Sequence, residues 1–387
     1  MSDAAVPVAG TCDARFAAVR DAFRENFASR GDVGAAVSVV VGGRVVVDLC
    51  GGWADAARTR PWRLDTLVNV FSVTKGLTTT CALQLVDRGL VELDAPIARC
   101  WPAFAQEGKD AITLREVLAH RAGLPAIAAP LPDEAMLDWP TMTAALERQA
   151  PWWPPGTAHG YHVNTFGFLV GEVVRRASGA TLGAWLREHV AGPLGADVHV
   201  GLPAREHARV ADFLWPAHAK PPPRESVRGE DLMRWCAYWN PRGLSGAEWV
   251  DTPAWRAAEV PSSNGHASAR GVARVYAALA AGGSLDGVDV LSAAVLREAV
   301  REQSSGMDRV LERPSRFGVG FQLTQPERPL GPNAGAFGHF GTGGSVGFCD
   351  PEAGVAFGYV MNHMGPRWQN PRNRALIDAT YDALRGA

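Results

Sequence analysis

Hydrophobic and polar positions follow two rhythms along the chain. From Asp13 to Ser29 apolar and charged residues recur at helical period, as in an amphipathic helix laid on a sheet. Ala35 to Val41 and Val45 to Leu49, joined at Gly42-Gly43, read as a β-hairpin. Helical spacing then dominates from Gly76 to about Gly192. Leu77, Cys81 or Ala82, Leu85 and Val86 share one face, no Pro interrupts them and Gly89 closes the run. Thr113-Leu114-Arg115-Glu116 is a capping box that predicts a helix ending near Gly123, and Phe166 to Ser178 and Leu182 to Val190 predict two more. Trp152-Trp153-Pro154-Pro155-Gly156 and Pro221-Pro222-Pro223 are loops, because proline lacks the amide a helix needs. Ala267 to Ala281 returns to helix. Phe317 to Leu323, Phe337 to Phe340, Ser345 to Cys349 and Val355 to Asn362 read as strands, and Pro371 to Leu384 as a last helix.

Strands at both ends with helices between predict an α/β (α+β) fold. One antiparallel sheet is built from both termini and flanked by terminal helices, with a mainly helical region inserted. The expected division is a sheet domain of residues 1–70 and 265–387 and a helical domain of residues 71–264. The seam between them, at Ser72, is where a cleft is expected.

Composition narrows the partners. A net charge of −2 and the absence of a basic run argue against nucleic acid or an anionic membrane surface. The N-terminal Met1-Ser2-Asp3-Ala4-Ala5 has neither a basic start nor a long apolar core, so the expected compartment is cytoplasmic. Six scattered Cys form no C-x-x-C pair, and His159 and His162 lack acidic or Cys neighbours at ligand spacing. No metal and no cofactor is expected, and the oligomeric state is not readable.

Ser72 and Lys75 carry the candidate chemistry. A serine at a helix start has a free backbone N–H and sits at the positive end of the helix dipole. Lys75, about one turn on, presents its amine on the same face, where it acts as a base if burial removes its proton. The chain has 38 Lys+Arg, but Lys stands only at 75, 109 and 220. A sequence that otherwise uses Arg has kept a deprotonatable cation in its most apolar helix start. Tyr161, in a loop after Pro-Gly, is placed to share that proton as a general acid/base. His339-Phe340-Gly341-Thr342-Gly343-Gly344 is a glycine-rich strand end where the Thr342 N–H is a second oxyanion donor and glycine permits close approach. Gly343-Gly344-Ser345-Val346-Gly347 matches a nucleophile elbow, but that motif needs a helix after the serine and a strand follows here.

With Ser72/Lys75, Tyr161 and His339-Phe340-Gly341 in this order, the chain resembles the serine β-lactamase and penicillin-binding-protein superfamily. It is most similar to family VIII carboxylesterases, which share the class C β-lactamase fold. Leu90 to Pro96, Leu118 to Leu124 and Pro155-Gly156-Thr157 extend the likeness over most of the chain. The resemblance implies Ser72 as the acylated nucleophile, Lys75 as its base, Tyr161 as partner acid/base, and the Ser72 and Thr342 amides as the oxyanion hole. Two departures matter. Val163 stands where β-lactamases carry the Asn of Tyr-x-Asn, with Asn164 one step late. His339-Phe340-Gly341 replaces Lys-Thr-Gly and offers at most partial charge near neutral pH.

Both departures remove contacts to anionic amide substrates and keep the acyl-transfer groups. They imply a small-molecule ester substrate, short-chain or neutral, in a pocket lined by Val163, the His339–Gly341 strand and the Trp-rich loop of Trp153. The rival readings are a β-lactamase or D-alanyl peptidase, an acyltransferase to a small alcohol, and a sensor that is acylated and stops.

Overall fold

In the computed structural model, residues 6–216, 221–242 and 247–386 are described. A nine-stranded antiparallel sheet runs in the order β1-β3-β2-β14-β13-β12-β11-β10-β9. Its first strands are β1 (Val8–Cys12), β2 (Gly34–Val41) and β3 (Arg44–Gly52). The C-terminal strands are β9 (Ser304–Met307), β10 (Pro314–Phe317), β11 (Gln322–Leu323), β12 (Phe337–Phe340), β13 (Val346–Asp350) and β14 (Val355–Met361). The two ends of the chain meet at the β2–β14 pair, where Val37 faces Tyr359. That junction puts β12 within reach of groups from the N-terminal half.

Smaller sheets join β4 (Val68–Asn69) and β5 (Val198–His199) through β6 (His266–Ala267), and pair β7 (Ser284–Leu285) with β8 (Val288–Asp289). The helix Ala269–Ala280 presses on β14, β2 and β13. A Cβ at Gly347 would meet the Tyr276 ring at 2.5 Å, so glycine is what lets this helix seat so closely. Asp48 of β3 pairs with Arg270 of the same helix, whereas Gly51, on the opposite face by alternation, lies against Phe27 of α1 (Ala17–Ala28). The C-terminal helix Pro371–Arg385 packs on α1. The large sheet is thus covered by helices on two faces, and β2 and β14 accordingly are buried along nearly their whole length rather than alternating.

The helix from Ser72 is α2 (Val73–Asp87), buried all round from Val73 to Leu85. Three expectations are corrected. The capping-box helix α3 (Leu114–Leu118) ends well before Gly123, because His120 takes a φ of +59° and Arg121 N–H returns to Glu116 O at 2.7 Å. The run Phe317 to Leu323 is two short strands, broken at Gly320 with φ of +85°. Leu182 to Val190 begins as an α-helix but passes at Arg187 into a wider π-turn. Two further helices bear on the site, α4 (Trp139–Arg148) and α5 (Thr165–Ser178). β1 and β9 escape the sequence pattern: the first is exposed along its middle and the second carries only one buried residue, so neither alternates. Among the described residues, no helix is long and apolar enough to cross a membrane.

Candidate active site

Ser72 caps α2 and is 5 % exposed. The residue before it, Phe71, holds a φ of +48°, an uncommon conformation for a bulky side chain. Its surroundings hold it there. The Phe71 ring packs edge-on to Phe213 and Trp215, Val70 N–H bonds Gly265 O at 2.8 Å, and Phe71 O accepts from Thr74 N–H at 2.9 Å. Strain of this kind persists where packing over-determines it, and it commonly marks a working site.

Lys75 has no solvent exposure. Its amine donates to Val163 O at 2.8 Å and to Ser262 O at 3.0 Å, and lies 3.3 Å from Ser72 Oγ. Two aromatic faces close the space, with Nζ 4.6 Å from the Tyr161 ring centre and 5.8 Å from that of Phe166. Burial, with no carboxylate to offset it, pushes the Lys75 pKa well below that of a free lysine. The carbonyl that meets it is itself fixed. Ser262 Oγ donates to Asn164 O at 3.0 Å, and Asn264 ties the same turn to Trp255 O and Ala258 O.

Tyr161 is 1 % exposed, and among the described residues its hydroxyl makes no hydrogen bond of ordinary geometry. Burial raises its pKa well above that of a free tyrosine, and the Ser72 hydroxyl nearby is the first group to oppose that rise. Its backbone N–H donates to Asp308 Oδ1 at 3.0 Å. His120, also fully buried, packs its ring 4.8 Å from Tyr161 and accepts the His162 N–H at 3.1 Å.

The third-motif strand β12 reaches the site with one change of character. His339 is fully buried, and burial, with Lys75 adding to it, pushes its pKa down to about 3. Its Nδ1 faces Phe340 O at 2.7 Å. The expected partial charge is therefore absent, and His339 is a neutral ring 6.0 Å from Tyr161. Phe340 does not line the site: it is 2 % exposed within the main core, and its N–H bonds Gln322 Oε1. The space beside Gly341 is taken by the protein rather than left for a ligand, since a Cβ there would meet Val70 O at 2.3 Å. This close contact packs the strand end before Thr342 against the segment that leads to Ser72. Among the described residues, neither the Ser72 nor the Thr342 amide donates to a backbone carbonyl.

Val163 contributes its carbonyl to Lys75, and its side chain joins an apolar cluster with Tyr161, Trp153 and Phe317. Trp153 Nε1 donates to Ala158 O at 3.1 Å, which fixes the Trp-rich loop in that cluster. Asn164 caps α5 with its amide on Ala237 O. His159 and His162 go to different partners, Ser315 Oγ and Gly160 O. Ser345 is fully buried and precedes β13, so it has neither the exposure nor the following helix of an elbow nucleophile.

Sequence reasoning missed Asp308, Phe317, Trp368 and the Ser262 carbonyl. None stands in a spaced motif, and a backbone acceptor leaves no residue-type signal. His120 lay within the Leu118 to Leu124 landmark, but nothing in that run predicted its contact with Tyr161.

Comparison with known proteins decides the family. The β-lactamase family model matches residues 19–382. The chain belongs to the β-lactamase family. Within it, the chain is 36 % identical over 370 residues to the esterase/beta-lactamase LipL of Mycobacterium tuberculosis, covering 94 % of this chain and 84 % of that protein. Among solved structures it is similar to a family VIII carboxylesterase, with a TM-score of 0.91 and 41 % identity, covering 97 % of this chain and 100 % of the other. It is equally similar to a penicillin-binding protein homolog from Caulobacter crescentus, with a TM-score of 0.90, 40 % identity and the same coverage. The β-lactamase fold and these relatives make the chain an esterase or related hydrolase of this superfamily.

Proposed function

We propose that the protein is a serine carboxylesterase working through an acyl-enzyme on Ser72. The observation that carries this reading is the setting of Lys75. Its two N–H groups are taken by Val163 O and Ser262 O, so the lone pair of the neutral amine is left for the Ser72 proton 3.3 Å away. Ser72 Oγ gives that proton to Nζ as it bonds the ester carbonyl carbon, and the amides of Ser72 and Thr342 receive the oxyanion. When the tetrahedral intermediate collapses, the carbonyl–alkoxy bond breaks and the alcohol leaves with a proton passed through Tyr161. Water then attacks the acyl carbon, Nζ taking its proton, and Ser72 recovers its own. No cofactor enters these steps.

The substrate is a small ester uncharged around its reacting carbonyl, because Val163 and neutral His339 offer no amide or cation there. Hydrolysis of β-lactams is the second reading, favoured by the likeness to LipL and opposed by the same two residues. The deciding experiment is the initial rate on p-nitrophenyl butyrate for wild type and Ser72→Ala, beside a chromogenic cephalosporin. Ester turnover that vanishes in the variant, with little cephalosporin hydrolysis, is the expected result. A rate retained in Ser72→Ala removes the nucleophile assignment, and faster cephalosporin turnover reverses the two readings. One burst of product without a steady phase identifies an acylated sensor, and product ester raised by added alcohol identifies a transferase.

A further inference from the structure

The turn between β9 and β10 carries a cation to the edge of this site. Arg313 Cζ lies 4.6 Å from the centre of the Trp368 ring. Trp368 packs edge-on to Tyr161 at 5.1 Å and lies 6.5 Å from His339, so the guanidinium is one aromatic ring removed from the phenol. Arg313 Nε is buried and, among the described residues, has no hydrogen-bond partner.

Among the described residues, neither of the acids next to Arg313 in the turn forms a direct ion pair with it. Glu312 turns to Arg234 at 3.5 Å. Asp308 accepts from the amides of Tyr161, Val310 and Leu311 through Oδ1 and from Ser315 Oγ through Oδ2. Arg367 and Arg328 act on the corner as like charges, while Tyr238 and Asp308 act on Arg313 in the opposite sense without forming an ion pair with it among the described residues. Arg328 spends its guanidinium on Pro314 O. Arg313 itself stays charged, since even a lowered arginine pKa lies far above neutrality. A partly desolvated guanidinium with no direct ion pair among the described residues, offset only through space by Asp308, is an unfavourable arrangement, and it is relieved further when a ligand brings an anion into contact. Its planar fork fits a carboxylate through two parallel hydrogen bonds.

We propose that Arg313, held on Trp368, is an anion subsite that takes a carboxylate on the remote end of the ester substrate. The proposal rests on the serine-esterase reading and refines it. The cation that β12 lacks beside the reacting carbonyl is provided farther out, from the β9–β10 turn. The site then selects esters that are uncharged at the bond to be cut and acidic at the far end.

Two matched substrate pairs test it. One pair sets the p-nitrophenyl monoester of glutaric acid against p-nitrophenyl valerate, placing the acid on the acyl side. The other sets 4-(butyryloxy)benzoate against 4-(butyryloxy)benzamide, placing it on the alcohol side. In one pair the wild type is expected to favour the acid by about tenfold in kcat/KM, mainly through KM. That ratio should shrink with added salt, collapse in Arg313→Gln and be partly restored in Arg313→Lys. No preference for the acid in either pair, or a preference that survives Arg313→Gln, overturns the subsite. Because each ratio is taken within one protein, partial loss of folded enzyme does not alter it. If none of the four esters turns over, the esterase reading falls, and calorimetry with 4-acetamidobenzoate against 4-acetamidobenzamide decides the subsite. Binding of the acid alone, lost in Arg313→Gln, upholds it; equal binding of both rejects it.

Discussion

Lys75 and Lys109 both have no solvent exposure, and both turn their amines onto two backbone carbonyls. Each lies over an aromatic ring, Tyr161 at 4.6 Å and Phe104 at 5.3 Å. Their electrostatic settings differ. Around Lys109, Glu107 and Glu147 oppose the downward push of burial. Around Lys75 no carboxylate does so, and its pKa falls well below that of free lysine. A serine hydroxyl stands 3.3 Å from Lys75, while the partners of Lys109 are the carbonyls of Gln106 and Glu147. Burial by itself does not make a lysine a base. Burial away from acids, beside a hydroxyl, does.

The largest effect expected from this contrast is on turnover. Lys75→Arg should lower kcat/KM on p-nitrophenyl butyrate by about 10³-fold or more, because a guanidinium cannot become the neutral acceptor. Lys109→Arg should leave the same rate within about twofold. Near-normal activity in Lys75→Arg, or equal losses in both variants, would erase the distinction.

The next effect is on stability alone. Lys109→Met removes the donor from Gln106 O and Glu147 O and should cost about 2 kcal/mol, read as a lower urea midpoint with activity per folded molecule unchanged. A midpoint that does not move would mean that these carbonyls find other partners.

The last effect, a change of slope with pH, tests the same burial rule in the small sheet beside the nucleophile, where His266 pairs with Asn69. His266 of β6 is fully buried and its pKa is pushed down to about 3, by burial first and Arg256 next. The unfolded chain binds its proton near pH 6.5 and the folded chain does not, so stability is complete above 6.5 and is lost as pH falls toward 3. His162 and His339 behave alike. Each contributes about 1.4 kcal/mol per pH unit in that window. His266→Asn should make the urea midpoint less steep between pH 6.5 and 5; an unchanged slope would show that His266 is not held neutral by the fold.

Much of this protein was legible before any tertiary contact was known. The helix of α2 is set by its unbroken apolar face, the β2–β3 pair by two Val-rich runs on either side of Gly42-Gly43, and the capping box at Thr113 by a local exchange of hydrogen bonds. Ser72 and Lys75 are one turn apart on one helix, so their meeting is a local property and the sequence determined it. Tyr161 was legible as a candidate, but its approach to Lys75 spans 86 residues of chain. Only the tertiary structure decided the rest. Ser262 O and Val163 O hold the amine through backbone atoms that any residue would supply, and the loss of charge at His339 follows from burial that a strand pattern cannot reveal. Arg313 comes to Tyr161 through Trp368, from segments more than fifty residues apart, and its lack of a direct ion pair among the described residues depends on where the Glu312 and Asp308 carboxylates turn. Local spacing specifies which groups share a helix face; the dielectric and the partners that set their chemistry come from segments distant in sequence.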